Sequence, residues 1–193
     1  HSFDNGQSDE GRAFIYLGSA GDLAPSPAWT AESNQVSAHF GGSVATAGDV
    51  NGDGYADVIV GAHYHDVGIP FANRGRAYVY LGSAAGPGTA AVWTGSGAEN
   101  VALFGYSVGT AGDTNGDGYS DVIVGTPYED AGGSDRGRAY VFLGSPAGPD
   151  ATPAWTASGD ENTANFGWSV STAGDVNGDG YSDVIVGALG HDA

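Results

Sequence analysis

Apolar residues occur along this chain in short bursts of four to seven, separated by Gly, Pro, Asp and Asn. Within DVIVG (Asp57–Gly61), Val58 and Val60 project to one side of an extended strand and Ile59 to the other, because side chains alternate across a strand. Both faces are therefore apolar, and both must be covered. Sheet stacked on sheet is the arrangement that does this. No segment offers apolar residues at helical spacing over ten or more positions, so the pattern predicts strands and turns throughout.

The bursts repeat in phase. FGGSVATAGDVNGDGYADVIVG begins at Phe40, FGYSVGTAGDTNGDGYSDVIVG at Phe104 and FGWSVSTAGDVNGDGYSDVIVG at Phe166. GRAFIYLG, GRAYVYLG and GRAYVFLG begin at Gly11, Gly75 and Gly137, and AWT or VWT segments end at Thr30, Thr94 and Thr156. Each unit thus holds four short strands, the signature of an all-β β-propeller built of four-stranded antiparallel blades. The order of segments predicts a half blade (strands 3 and 4) over 1–36, blades over 37–100 and 101–162, and a half blade (strands 1 and 2) over 163–193. That is three blades' worth of strands. The loop between the first and second strands is nearly invariant. The one between the second and third, AHYHDVGIPFAN from Ala62 and TPYEDAGGSD from Thr126, diverges and is free to serve recognition.

Composition sharpens the picture. The 193 residues carry 23 Asp and Glu against 5 Lys and Arg, a formal charge of −18, which excludes nucleic acid as a natural partner. So large a surplus favours bound cations. Cys is absent, which removes disulfides, thiolate metal sites and thiol nucleophiles together. Gly, at 35 residues, has no three-residue period and fits tight turns rather than collagen. No apolar run approaches the roughly 20 residues of a bilayer span, so no membrane insertion is expected. Met is absent too, so His1 is not a translation start and the chain is expected to be a processed or excised piece.

The invariant loop concentrates the acidity. It reads Asp49-x-Asn51-x-Asp53-Gly54-Tyr55-x-Asp57, then Asp113-x-Asn115-x-Asp117-Gly118-Tyr119-x-Asp121, then Asp175-x-Asn177-x-Asp179-Gly180-Tyr181-x-Asp183. Hard oxygen donors at alternate positions around a glycine suit Ca²⁺, which takes six to eight oxygens in a tight loop. Side-chain oxygens at positions 1, 3, 5 and 9 and the backbone carbonyl of Tyr55, Tyr119 or Tyr181 form the expected shell, giving three Ca²⁺ per chain. An EF-hand would place Glu at position 12, where this chain has Val60, Val124 or Val186. Asp-Gly and Asn-Gly turns alone need only one or two such residues, not four at one spacing three times.

With Phe-Gly opening each unit, the acidic loop in the middle and Val-Gly-Ala or Val-Gly-Thr-Pro after it, the sequence resembles the FG-GAP repeat of integrin α-subunit β-propellers and their bacterial relatives. The resemblance implies calcium in the first interstrand loop on one face and partner binding at the opposite face. It also implies seven blades, against strands for three here. Two chains meeting head to tail would supply six, so a homodimer ring is expected, with a fragment of a longer propeller as the alternative.

Trp29, Trp93 and Trp155 are expected between blades, Phe40, Phe104 and Phe166 in the core, and Arg12, Arg76 and Arg138 as anchors for carboxylates or carbonyls between blades. No catalytic motif is present. The expected function is a non-catalytic, calcium-stabilised, extracellular or secreted scaffold or adhesion module that presents its divergent loops to a protein or glycan. The alternatives are a glycan hydrolase or lyase using Asp66, His65 or Glu129, and a fragment with no ligand of its own.

Overall fold

A computed structural model describes residues 6–68 and 72–191; of the first divergent loop, residues 69–71 lie outside it. Its elements are twelve strands, with no helix among the described residues. They are β1 (Arg12–Ile15), β2 (Trp29–Glu32), β3 (Ser43–Gly48), β4 (Asp57–Ala62), β5 (Arg76–Tyr80), β6 (Trp93–Ser96), β7 (Ser107–Gly112), β8 (Asp121–Thr126), β9 (Arg138–Phe142), β10 (Trp155–Ser158), β11 (Phe166–Gly174) and β12 (Asp183–Ala188). They form four antiparallel meanders: sheet I (β1-β2), sheet II (β3-β4-β5-β6), sheet III (β7-β8-β9-β10) and sheet IV (β11-β12). The all-β, four-stranded antiparallel blade expected from the repeat is what forms. Phe40 and Phe104 precede their strands rather than starting them, whereas Phe166 opens β11.

Registers repeat as faithfully as the sequence. Val58 faces Tyr80 and Val60 faces Tyr78 in sheet II, and Val122 faces Phe142 and Val124 faces Tyr140 in sheet III. The strands apolar on both faces are covered on both: Ile59, Val60, Val122, Ile123 and Val124 are all fully buried. One cluster sits between each pair of neighbouring sheets. Trp29, Phe40, Val60, Tyr78 and Tyr80 join I to II; Ile59, Val79, Trp93, Phe104, Val122 and Phe142 join II to III; Ile123, Val141 and Val170 join III to IV. β12 has the same sequence pattern, yet its Ile185 is 60% exposed, because no described strand packs beyond sheet IV.

Joints between units are backbone hooks. Phe40, Phe104 and Phe166 each donate a backbone N–H to the carbonyl of Glu10, Arg74 and Arg136, at 2.8–2.9 Å. The glycine of each GRA segment sits beside the hook at φ 75–78°. A Cβ on Gly75 would stand 2.2 Å from the Phe104 carbonyl oxygen, so only glycine fits there. Trp29 and Trp93 lie between blades as expected, their indole N–H groups donating to the Gly88 and Asp150 carbonyls of the next unit at 2.9 Å. Trp155, by contrast, is 41% exposed. The arginines depart from expectation: Arg12 pairs with Glu32 of its own sheet and Arg138 with Glu129 of its own unit, so these ion pairs brace units internally.

Sheets II and III approach sheets III and IV most closely at Gly61 and Gly125, where an added Cβ would lie 2.0 Å from the carbonyl oxygens of Gly105 and Gly167. Gly125→Ala is expected to cost about 1–3 kcal/mol by forcing these sheets apart. Gly18→Ala, with open space around it, should change stability little. Equilibrium urea unfolding of the two variants measures the difference.

Candidate metal loops and the opposite face

Each acidic loop begins with a break in its hairpin. The pairing of β3 with β4 shifts between Thr46 and Gly48, and the same shift occurs at Thr110/Gly112 and Thr172/Gly174. Gly48, Gly112 and Gly174 adopt φ of 81°, 76° and 72°, and each donates its N–H to the threonine hydroxyl two residues earlier at 3.0–3.1 Å. A bulge of this kind bends the strand and re-aims the residue after it. In all three loops that residue is the first aspartate.

That aspartate gathers the loop around its carboxylate. Asp49 accepts the N–H groups of Asp53 and Gly54 at 3.0 and 2.8 Å. Asp113 and Asp175 accept the equivalent pair, Asp117 with Gly118 and Asp179 with Gly180, at 2.8–3.1 Å. Asn51, Asn115 and Asn177 donate their side-chain amides to Asp53, Asp117 and Asp179 at 2.8–2.9 Å. Those aspartates in turn accept the N–H of Tyr55, Tyr119 and Tyr181 at 2.9–3.0 Å. The backbone hydrogen bonds to Asp175 hold its carboxyl below the usual range. Three loops thus adopt one geometry.

The ninth position is set apart from the rest. Asp57 and Asp121 are buried, and each oxygen accepts a backbone N–H: Val50 at 2.7 Å and Gly82 at 2.7 Å for Asp57, Thr114 at 2.9 Å and Gly144 at 2.8 Å for Asp121. One donor belongs to the acidic loop and the other to the turn after the third strand. Burial raises the pKa of both carboxyls despite these bonds, with the neighbouring loop aspartates adding to the rise. Asp183 keeps the loop bond, from Val176 at 2.8 Å. The spacing of the motif leads to the expectation of position 9 in a metal shell but carries no sign of this second attachment, whose donors, Gly82 and Gly144, lie 25 and 23 residues away.

The donor chemistry fits a hard divalent cation. Each loop supplies three carboxylates, an amide oxygen and a backbone carbonyl with no basic side chain among them, the hard oxygen set that such a cation takes. Among the described residues, no group of three or more His, Cys, Asp or Glu side chains is gathered closely enough to count as a ready-made metal centre.

At the other end of the blades the divergent loops and the Phe-Gly corners bring rings together. His39, His63, Tyr64, Tyr106, Tyr128 and Trp168 form a continuous band across sheets II to IV, with successive centroids 4.5–6.2 Å apart. Its clearest signal in the sequence is the residue after each Phe-Gly, which is Gly42, Tyr106 and Trp168. Burial, and secondarily His39, pulls the pKa of His63 down to about 4.

Two of the candidate acid–base residues, Glu129 and Asp66, are engaged in hydrogen bonds, and the third, His65, is buried. Glu129 is buried, ion-paired to Arg138 at 2.9 Å, and receives the Tyr140 hydroxyl at 2.6 and 2.7 Å from its two oxygens. Asp66 accepts the Asn73 N–H at 2.9 Å, and burial brings the His65 pKa down to about 4. Glu129 is thus held within its own unit, and the Asp66 backbone is further tied to Gln35 of the preceding unit at 2.7 and 3.1 Å.

The comparisons with known proteins agree with this architecture. Residues 40–80, 104–142 and 166–192 match the FG-GAP repeat. The chain is 36% identical over 171 residues to integrin alpha-PS2 of Drosophila melanogaster, 35% over 167 residues to integrin alpha-5 of Xenopus laevis and 37% over 166 residues to integrin alpha-V of Gallus gallus. Each alignment covers 82% of this chain but only 12–16% of the relative. With repeats, hooks and sheet order all in place, the chain belongs to the FG-GAP repeat family.

Proposed function

We propose that this chain is a non-catalytic, calcium-stabilised propeller segment of adhesion type, extracellular or secreted, whose divergent loops receive a protein or glycan. The observation that carries the reading is the threefold recurrence of one acidic-loop geometry, tied in sheets II and III into the blade by a buried aspartate. Ca²⁺ would be held by Asp49, Asn51, Asp53, the Tyr55 carbonyl and Asp57, and by Asp113, Asn115, Asp117, Tyr119 and Asp121 and Asp175, Asn177, Asp179, Tyr181 and Asp183 in the other loops. Its contribution is charge: three divalent ions bring −18 to −12. Oxygen cages of modest affinity fill at extracellular millimolar calcium, which supports a location outside the cell. The aromatic band faces away from these loops and supplies the ring surface that a partner or sugar would use.

The same reading extends to assembly. β1 pairs only with β2 and β12 only with β11 among the described strands, and exposed Phe14, Val44 and Ile185 flank these open edges. Open edges invite pairing. We read residues 37–100 and 101–162 as complete blades and 1–36 and 163–193 as halves that a second copy completes head to tail, giving six blades.

Calcium added to chelated protein should raise the melting temperature, with about 1.4 kcal/mol per loop at ten times the Kd. An unchanged melting curve across the titration would overturn the calcium assignment. Light scattering should report twice the 19.2 kDa chain mass, and a monodisperse single-chain species would end the dimer.

In chelated protein, Asp121→Asn should still cost about 1–3 kcal/mol in urea unfolding, because one of two buried N–H groups loses its acceptor. Stability should also fall as pH drops from 6.5 toward 4, since His63 binds its proton at about 4 in the fold and near 6.5 unfolded. His63→Phe should flatten that slope by up to about 1.4 kcal/mol per pH unit, read from unfolding at pH 7 and pH 5.

A further inference from the structure

The three arginines that open the third strands sit at equivalent positions but have unlike partners. Arg12 pairs with Glu32, from the fourth strand of its sheet, and Arg138 pairs with Glu129, from the loop after β8. At the position of Glu32 sheet II has Ser96, and at the position of Glu129 it has His65. Arg76 is therefore the one member of the set with no carboxylate among the described residues.

Its posture is nevertheless that of Arg138. The Arg76 Nε donates to the Ser96 hydroxyl at 3.1 Å, as Arg138 does to Ser158 at 3.0 Å. The guanidinium carbon stands 6.0 Å from the centre of the Tyr78 ring, against 5.8 Å for Arg138 and Tyr140. In sheet III these groups converge on a carboxylate that also lies 3.1 Å from the Thr126 hydroxyl. In sheet II Thr126 is replaced by Ala62, and His65 is only 8% exposed, with its Nδ1 buried and without a hydrogen-bond partner. Burial first, and the Arg76 charge second, hold His65 neutral at pH 7 against the opposing pull of Asp66, so it cannot take the place of the missing anion. The cradle is kept while its anion is lost.

We propose that Arg76, the Tyr78 hydroxyl and His65 form a binding site for a carboxylate, which takes the place that the Glu129 carboxylate fills in sheet III. A guanidinium held by Ser96 and lying over a ring is pre-organised for such a group. An unpartnered imidazole Nδ1, in its N–H tautomer, adds a second donor. The site lies at the end of sheet II opposite its acidic loop, on the face with the divergent loops. Assigning the carboxylate to a partner's Asp or Glu side chain rests on the recognition reading above, whereas the site itself does not.

The test is a titration of ¹⁵N-labelled protein with sodium acetate against sodium chloride at equal ionic strength, following the Arg76 Nε–H and the His65 ring by NMR, with and without calcium. A saturable shift specific to acetate is expected. It should weaken at least about tenfold in Arg76→Gln, the loss of one charge-assisted contact. His65→Glu should abolish it and raise the melting temperature, because the carboxylate is then supplied internally. Repeating the titration with N-acetylaspartate amide and its asparagine counterpart separates the sources: binding of the aspartate compound indicates a partner's side chain, and binding of acetate alone a free small carboxylate. No acetate shift beyond the chloride control, or a shift that persists in both variants, overturns the site. Running both calcium states keeps this result separate from any failure of the calcium assignment.

Discussion

A buried aspartate that accepts hydrogen bonds from two separate stretches of backbone is the contact on which the complete blades depend. Asp57 and Asp121 start the second strand, hold the acidic loop through Val50 or Thr114, and hold the turn beyond the third strand through Gly82 or Gly144. An ion bound in the loop would therefore act on the sheet through one side chain. The rise in the pKa of both carboxyls reflects first the cost of burying charge, and then the neighbouring loop aspartates. A divalent ion would relieve that cost, which joins the chemistry of the loop to the stability of the blade.

Blade stacking imposes the second constraint. Neighbouring sheets meet where Gly61 and Gly125 face carbonyl oxygens, and where the hook of each unit passes a left-handed glycine. Side chains larger than hydrogen would hold the sheets too far apart for Trp29 and Trp93 to reach the carbonyls of the following unit. Glycine abundance thus reflects close approach as well as turns. The interfaces are close-packed and apolar at the centre, and polar variation is confined to the two ends.

Much of the architecture was legible because the repeat displays it three times: strand number, sheet order and the two-sided cover of Ile59 and Ile123 come from period and alternation. What escaped was contact between residues remote in sequence. Gly82 and Gly144 look like ordinary turn residues until the buried aspartate finds them. Arg12 and Arg138 occupy one repeated position, yet their carboxylates come from different elements of their own units and not from the neighbouring blade where repetition placed them. The aromatic band was hidden for a similar reason, since its rings come from three units and two kinds of loop. Trp155 shows the limit of periodicity from the other side, because an in-phase residue is buried only where a neighbouring unit reaches over it.

The hooks have a consequence for how the chain acquires its structure. Each one links a Phe-Gly corner to the start of the preceding unit's third strand, at the same short separation along the chain, so every joint closes a loop of similar size. Ordering can then begin at any joint and spread outward, each finished pair templating its neighbour, as in other linear arrays. Assembly of this kind places few demands on distant parts of the polypeptide, and a fault in one unit should stall growth locally while leaving the segments already stacked intact.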